Sequence, residues 1–252
     1  MKADKRIYAL LAIVKNSIKK TVLNRKFLIV ILGMIFISSL MGYGATQDIE
    51  RLETGIDLID IFVISFFLPI MTMIFGSSLI REEIEDNSMT QILTAPISRV
   101  ETYLGYYISV VIVSIFAMLL ILTAGSLVFF SMTGLDSSAL NIYFSMIGLI
   151  CIGSLVYPTL FLLVSVMIER AIYFGLFYVF IWEGFIGSLP GNVKTLSIRH
   201  YLRSIGKELL EYGEISSYRS ASGSMLSLMI LTVLASVLII AGALIFREKE
   251  FH

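Results

Sequence analysis

Six stretches of this chain are apolar for long enough to cross a lipid bilayer, and no other feature constrains its fold as strongly. They are Phe27–Gly44, Leu58–Ile80, Tyr103–Phe130, Leu140–Ile168, Ile172–Leu189 and Gly223–Phe246. A helix needs roughly 20 apolar residues to span the hydrocarbon core. Of the 252 residues, 57% are hydrophobic and 15% charged, whereas charged residues approach about a quarter of a soluble domain. The expected fold is therefore an all-α, polytopic membrane protein with six transmembrane helices, a single domain over residues 1–252. Pro69 and Pro158 lie near the middles of the second and fourth spans and predict kinks there. The fifth span holds Glu183 and the breakers Gly184, Gly187 and Pro190. Its outer end is expected to be broken or re-entrant.

Lys and Arg orient the chain. Six spans put both termini on one side, together with residues 80–101 and the Glu169–Arg170 turn, and that side collects 13 of the 19 basic residues. This predicts a plasma-membrane protein with both termini in the cytoplasm. The acidic Asp48–Asp57 loop and the 190–222 loop then fall outside. The first apolar run follows a long charged segment without a small-residue cleavage site, so no stretch reads as a cleaved signal peptide. Net charge is zero, which supplies no field for nucleic acid. A single cysteine, Cys151, excludes an intramolecular disulfide framework.

Two segments outside the spans read as helices. Over residues 4–24, Ile7, Leu10, Leu11, Val14 and Ile18 recur at helical spacing opposite Lys15, Lys19 and Lys20. A basic amphipathic helix of this kind lies in the membrane interface. In the outer loop, Ile198, Tyr201, Leu202, Ile205 and Leu209 share one face of a second helix.

Residues 80–101 set a dense charge cluster between two apolar spans: Arg81, Glu82, Glu83, Glu85 and Asp86. Two capping boxes follow, Ser88–Gln91 and Ser98–Glu101. Pro96 disfavours helix at Ala95. The pattern predicts that the second span overshoots to about Asp86. A short helix then runs from about Met89 to Thr94, and a third helix starts after Ser98. The short helix presents Met89, Ile92 and Leu93 as an apolar knob suited to a socket on another protein, with the flanking acids pairing bases around that socket. A plain solvated loop is the competing reading, but it leaves two capping boxes around an apolar triplet unexplained. Acid–base or metal chemistry has less support, since no His or Cys accompanies these water-facing carboxylates.

The run Ile84-Glu-Asp-Asn-Ser-Met-Thr-Gln-Ile-Leu-Thr-Ala-Pro-Ile-Ser-Arg99 resembles the cytoplasmic loop of type-2 ATP-binding-cassette (ABC) transporter permeases. Asn87-Ser88-Met89 departs mildly from the Gly-Thr-Leu type of turn usual there. The plan of an interfacial helix, six spans and an outer helical loop is also similar. The resemblance implies a permease subunit, mostly of the exporting class, without its own enzymatic activity. It implies a separate ATPase subunit that binds ATP and Mg, and a second permease subunit, identical or related. Docking on the ATPase would involve Glu82, Glu83, Glu85, Asp86, Ser88, Met89, Gln91, Ile92, Leu93, Pro96, Ser98 and Arg99, with Glu169 and Arg170 as a second, smaller contact.

No G-x-x-x-x-G-K-[ST] phosphate loop occurs, and neither His200 nor His252 belongs to a metal-ligand pattern. Catalytic and metal residues are therefore expected to be absent. Glu183, Pro69 and Pro158 are candidate pathway residues. Glu183 has a blander reading, which is favoured: an interfacial Trp182–Glu183 pair under the outer loop, its carboxylate hydrated. Both prolines are more readily structural kinks. Asp60 is expected to reach water near the end of its span. A secondary, ion-coupled transporter is the alternative function, and a membrane-embedded enzyme of lipid chemistry a third. The first needs polar ion sites at the membrane midplane and the second a convergent polar site, and the spans show few such groups.

Overall fold

The computed structural model describes residues 2–46, 51–85, 97–185, 191–209 and 222–249. Every regular element among them is helical. Helix α1 (Lys2–Leu23) is the amphipathic one. Its Ile13, Val14, Ile18 and Val22 pack toward the bundle, while Tyr8 and Leu11 stay exposed. Asn24 then caps a single 3-10 turn, its side chain accepting the Lys26 N–H at 3.3 Å. That turn redirects the chain into α2 (Leu28–Ala45).

The second span is three pieces of one long helix: α3 (Arg51–Leu58), a π-helical stretch (Ile59–Phe67) and α4 (Leu68–Glu85). The wide turns end just before Pro69, where the Leu68 N–H bonds back to the Val63 carbonyl. A proline in a regular α-helix clashes with the carbonyl four residues earlier. A π turn opens the ladder there and relieves the clash.

Helix α5 (Arg99–Thr133) is central, packing on α1, α2, α4 and both later long helices. It ends at Gly134, whose φ of +90° suits a residue without Cβ. Asp136 then caps α6 (Ser137–Met167). Helix α6 runs through Pro158. One turn earlier, the Tyr107 hydroxyl of α5 donates to the Leu155 carbonyl at 2.9 Å. A neighbouring helix thus supplies a donor where proline interrupts the ladder.

The chain next forms α7 (Ala171–Phe177), a second π stretch (Tyr178–Phe185), a 3-10 segment (Gly191–Leu196), the outer helix α8 (Ile198–Leu209) and the final α9 (Ser224–Glu248). Five helices are long and apolar enough to cross a membrane: Arg25–Ala45, Thr54–Glu83, Arg99–Thr133, Ser137–Met167 and Ser224–Glu248. The fifth predicted span, 172–189, is represented by the shorter apolar helix Ala171–Phe185. Residues 186–189, which would complete the expected span to Leu189, lie outside the described residues.

Burial differs sharply among the spans. The apolar windows of the second, third and fourth are 61%, 56% and 61% buried, against 28% for α2 and 17% for α9. The latter two are peripheral and hold large faces open to lipid or a partner. Close approach depends on small residues. A Cβ on Gly125 of α5 would sit 2.5 Å from Ile37 of α2, and one on Gly242 of α9 would collide with the Tyr103 ring of α5.

Candidate functional site

Polar side chains gather at the two ends of the bundle. One end, here the terminal face, brings together α1, the end of α4, the start of α5 and the ends of α6 and α9. The opposite, far face carries α8 and the second π stretch.

At the terminal face the acids that close α4 turn inward. Glu82 forms an ion pair with Lys26, and Asn24 Nδ2 donates to it at 3.3 Å. Glu83 is 1% exposed and lies 3.7 Å from Lys20 Nζ. Glu83 is therefore not the water-facing acid expected from the sequence, and Glu82 is only partly so. They hold α1 and its connector against α4, because the lysines on the inner side of α1 need counter-charge where the helix meets the bundle. Ser98 caps α5: its hydroxyl accepts the Glu101 N–H at 3.2 Å, and Glu101 accepts the Ser98 N–H at 2.7 Å. Arg99, though exposed, reaches across to α9, its guanidinium donating to the Arg247 and Lys249 carbonyls at 3.0 Å each. A cation there satisfies the open carbonyls and the negative end of α9. Lys249 does the same for α6 through the Val166 carbonyl.

Glu169 and Arg170 form an exposed turn between α6 and α7. With Lys26, Arg81, Glu82 and Tyr173 they border a cleft of about 390 Å³ at this end. The turn and the last residues of α4 therefore face one another across a shared opening. Asp86, Ser88, Met89, Gln91, Ile92, Leu93 and Pro96 lie outside the described residues, as does the side chain of Glu85.

At the far face two carboxylates are buried. Glu183 is 1% exposed. Four donors converge on it: the Tyr178 hydroxyl at 2.9 Å, the Ser197 hydroxyl at 2.5 Å, and the N–H groups of Ile198 at 3.0 Å and Arg199 at 3.2 Å. Those amides open α8, so Glu183 caps a helix from a distant part of the chain and sits at its positive dipole end. Trp182 joins the same contact, its indole N–H donating to the Leu196 carbonyl at 3.0 Å. The pairing of Trp182 and Glu183 under the outer loop is present, but the carboxylate is held by protein donors and not by water.

Asp60 is the second. The sequence suggests that it reaches water, yet its side chain is 0% exposed. Arg203 of α8 grips it in fork geometry, Nε to Oδ1 at 3.2 Å and an NH2 group to Oδ2 at 2.5 Å, and also reaches Ser65 Oγ at 3.4 Å. Asp60 and Ser65 are five residues apart, the spacing of π-type hydrogen bonding, so the π stretch helps bring both toward one guanidinium. Burying Asp60 without this partner would be costly. Burial, followed by the nearby Lys194 charge, pushes the His200 imidazole below its ordinary range, and the ring meets Ser222 Oγ at 3.1 Å.

Lys20, Asn24, Lys26, Asp60 and Arg203 were not legible as site residues. The available signal was an acid inside one apolar run and an arginine in the outer helix, two charges that each need a partner near lipid. Pro69 and Pro158 sit at the backbone adjustments described above. Among the described residues no group of His, Cys, Asp and Glu is placed to hold a metal ion.

Among known families, residues 15–187 match the model described as an ABC-2 family transporter protein. No curated protein matches the chain.

Proposed function

The chain belongs to the ABC-2 transporter family and is an ABC transporter permease; from that premise we propose that it couples ATP hydrolysis by a separate ATPase subunit to substrate export. Two such permeases, identical or related, would assemble with two ATPase subunits in the plasma membrane. Both termini would face the cytoplasm, so the terminal face is the docking face.

The observation that carries this reading is the anchoring of segment 81–99 at both ends. Its first residues are tied to α1 through Glu82–Lys26 and Glu83–Lys20. Its last residues are tied to α5 by the Ser98–Glu101 box and to α9 by Arg99. A force applied between these anchors enters four helices at once. Closure of an ATPase dimer around ATP would move the segment, and α4 and α5 would carry the motion toward α8 at the far face. Coupling of this kind requires that docking differ in free energy between two states of the bundle. The Glu169–Arg170 turn, across the cleft, supplies the second contact.

Replacing Met89, Ile92 and Leu93 with glutamates tests the reading. The expected outcome is an intact, membrane-inserted permease that no longer co-purifies with or stimulates its ATPase. Unchanged association and coupled transport would overturn the docking role. Transport by the chain alone, driven by an ion gradient, would replace it with a secondary transporter.

A further inference from the structure

Beside the Asp60–Arg203 pair, a cleft of about 320 Å³ opens on the far-face half of the bundle. Its walls are Phe36 of α2, Phe62 and Phe66 of the first π stretch and Phe180 of the second, and Arg199 and Arg203 also line it. Phe36, Phe66 and Phe180 are 44%, 39% and 51% exposed, so the aromatic wall is open toward the lipid side of spans that are themselves apolar. The volume lies at the small end of ligand pockets, which run about 300–1,000 Å³.

The two arginines differ in what they already hold. Arg203 spends Nε and an NH2 group on Asp60 and Ser65. The Arg199 backbone N–H caps onto Glu183, but its half-buried guanidinium makes no ion pair or hydrogen bond among the described residues. Glu183 and Asp60 attract it only through space. Asp60 and Glu183 are 0% and 1% exposed, and neither lines the opening. Two buried anions therefore lie behind the wall and two cations lie on it. A guanidinium in that position offers a planar fork suited to a phosphate or carboxylate, and the phenylalanines beside it offer an apolar bed.

We infer that this cleft binds an anionic amphiphile, a phosphate-bearing lipid whose head group meets Arg199 and Arg203 while its hydrocarbon lies along Phe36, Phe62, Phe66 and Phe180. The charge next to an aromatic, lipid-open wall selects this occupant over a purely apolar one. The inference needs only the placement of the chain in a membrane, so it stands apart from ATPase docking, and neither result decides the other.

Trp182 is the sole tryptophan of the chain and lies two residues from Gly184 of the cleft wall, so its fluorescence serves as the reporter. The purified full chain in neutral maltoside detergent is titrated with dioctanoyl phosphatidylglycerol, with dioctanoyl phosphatidylcholine and with inorganic phosphate. The anionic lipid should give a saturable change with a midpoint about tenfold below that of the zwitterionic lipid, the scale of one charge-assisted contact. Arg199→Gln should abolish that preference, Arg199→Lys should restore part of it, and Phe180→Ala should weaken both lipids alike. Millimolar phosphate should neither respond nor compete. Equal midpoints for the two lipids, or an unchanged preference in Arg199→Gln with its elution volume and melting temperature intact, would overturn the inference. Phosphate competing as well as the lipid would make this a free-anion site. Loss of a dimer in Arg199→Gln without any change in lipid binding would assign the cleft to a second copy of the chain.

Discussion

The two ends of the bundle use charge in opposite ways. At the terminal face the Lys26–Glu82 pair is partly solvated on both sides, the Lys20–Glu83 pair only through its lysine, and both join elements that pack as separate pieces. Lys26 and Glu82 are 31% and 22% exposed, and Lys20 is 26% exposed against a Glu83 at 1%. At the far face the acids are sealed: Asp60 is fully buried in a forked guanidinium contact, and Glu183 is satisfied by four donors. A solvated pair costs little to make or break, whereas a buried charge tolerates only a complete set of partners. The comparison suggests an adjustable end that a partner can move and an end whose polar joints must move as units.

The largest effect should follow from breaking the buried pair at one partner. Asp60→Ala strands Arg203, and the expected loss is about 3–5 kcal/mol, read as a fall in melting temperature of the detergent-solubilised protein. Replacing both partners, Asp60→Leu with Arg203→Met, should recover most of that loss. A double variant as unstable as the single one would show that the pair has a role beyond charge compensation.

Glu183→Ala should come next, near 3 kcal/mol, because it leaves two hydroxyls and two helix-opening amides without their acceptor. Glu183→Gln should fall between it and the native protein, since the amide keeps one acceptor oxygen and loses the charge. Limited proteolysis within 191–209 would localise the damage. Equal protection of the native chain and Glu183→Ala would mean that α8 is held by packing alone.

The smallest effect belongs to the terminal face. Lys26→Ala should cost about 0.5–1 kcal/mol, and raising salt from low to about 0.5 M should shrink the difference from the native protein, as screening predicts. A salt-independent loss as large as that of Asp60→Ala would erase the contrast between the ends.

What was legible in the sequence was what depends on short range. The Ser98–Glu101 box needs residues three apart, and its geometry is present. The amphipathic stripe of α1 and the apolar runs are periodicities of one helix. The role of Glu82 and Glu83 was not legible, because charged residues at a helix end look identical whether they face water or a neighbouring lysine, and Lys26 lies 56 positions from Glu82. Asp60 and Arg203 are 143 positions apart, so neither can be assigned a partner from local pattern. Hydropathy counts apolar residues, but it does not register that a carboxylate within such a run, Glu183, caps the start of another helix.

Composition and periodicity alone therefore determined that this chain is a helical, multi-pass membrane protein, because the bilayer demands long apolar runs with internally satisfied backbones. They also located the segment between the second and third long helices as the place where charge and apolar residues meet. Only the tertiary structure decided where each charge is spent: Glu82 and Glu83 on α1, Arg99 on the end of α9, Glu183 on the start of α8, Asp60 on Arg203. The physical reason is that a charge near lipid is stable only beside its partner, and that partner is chosen by how the helices pack, across separations that local sequence does not encode.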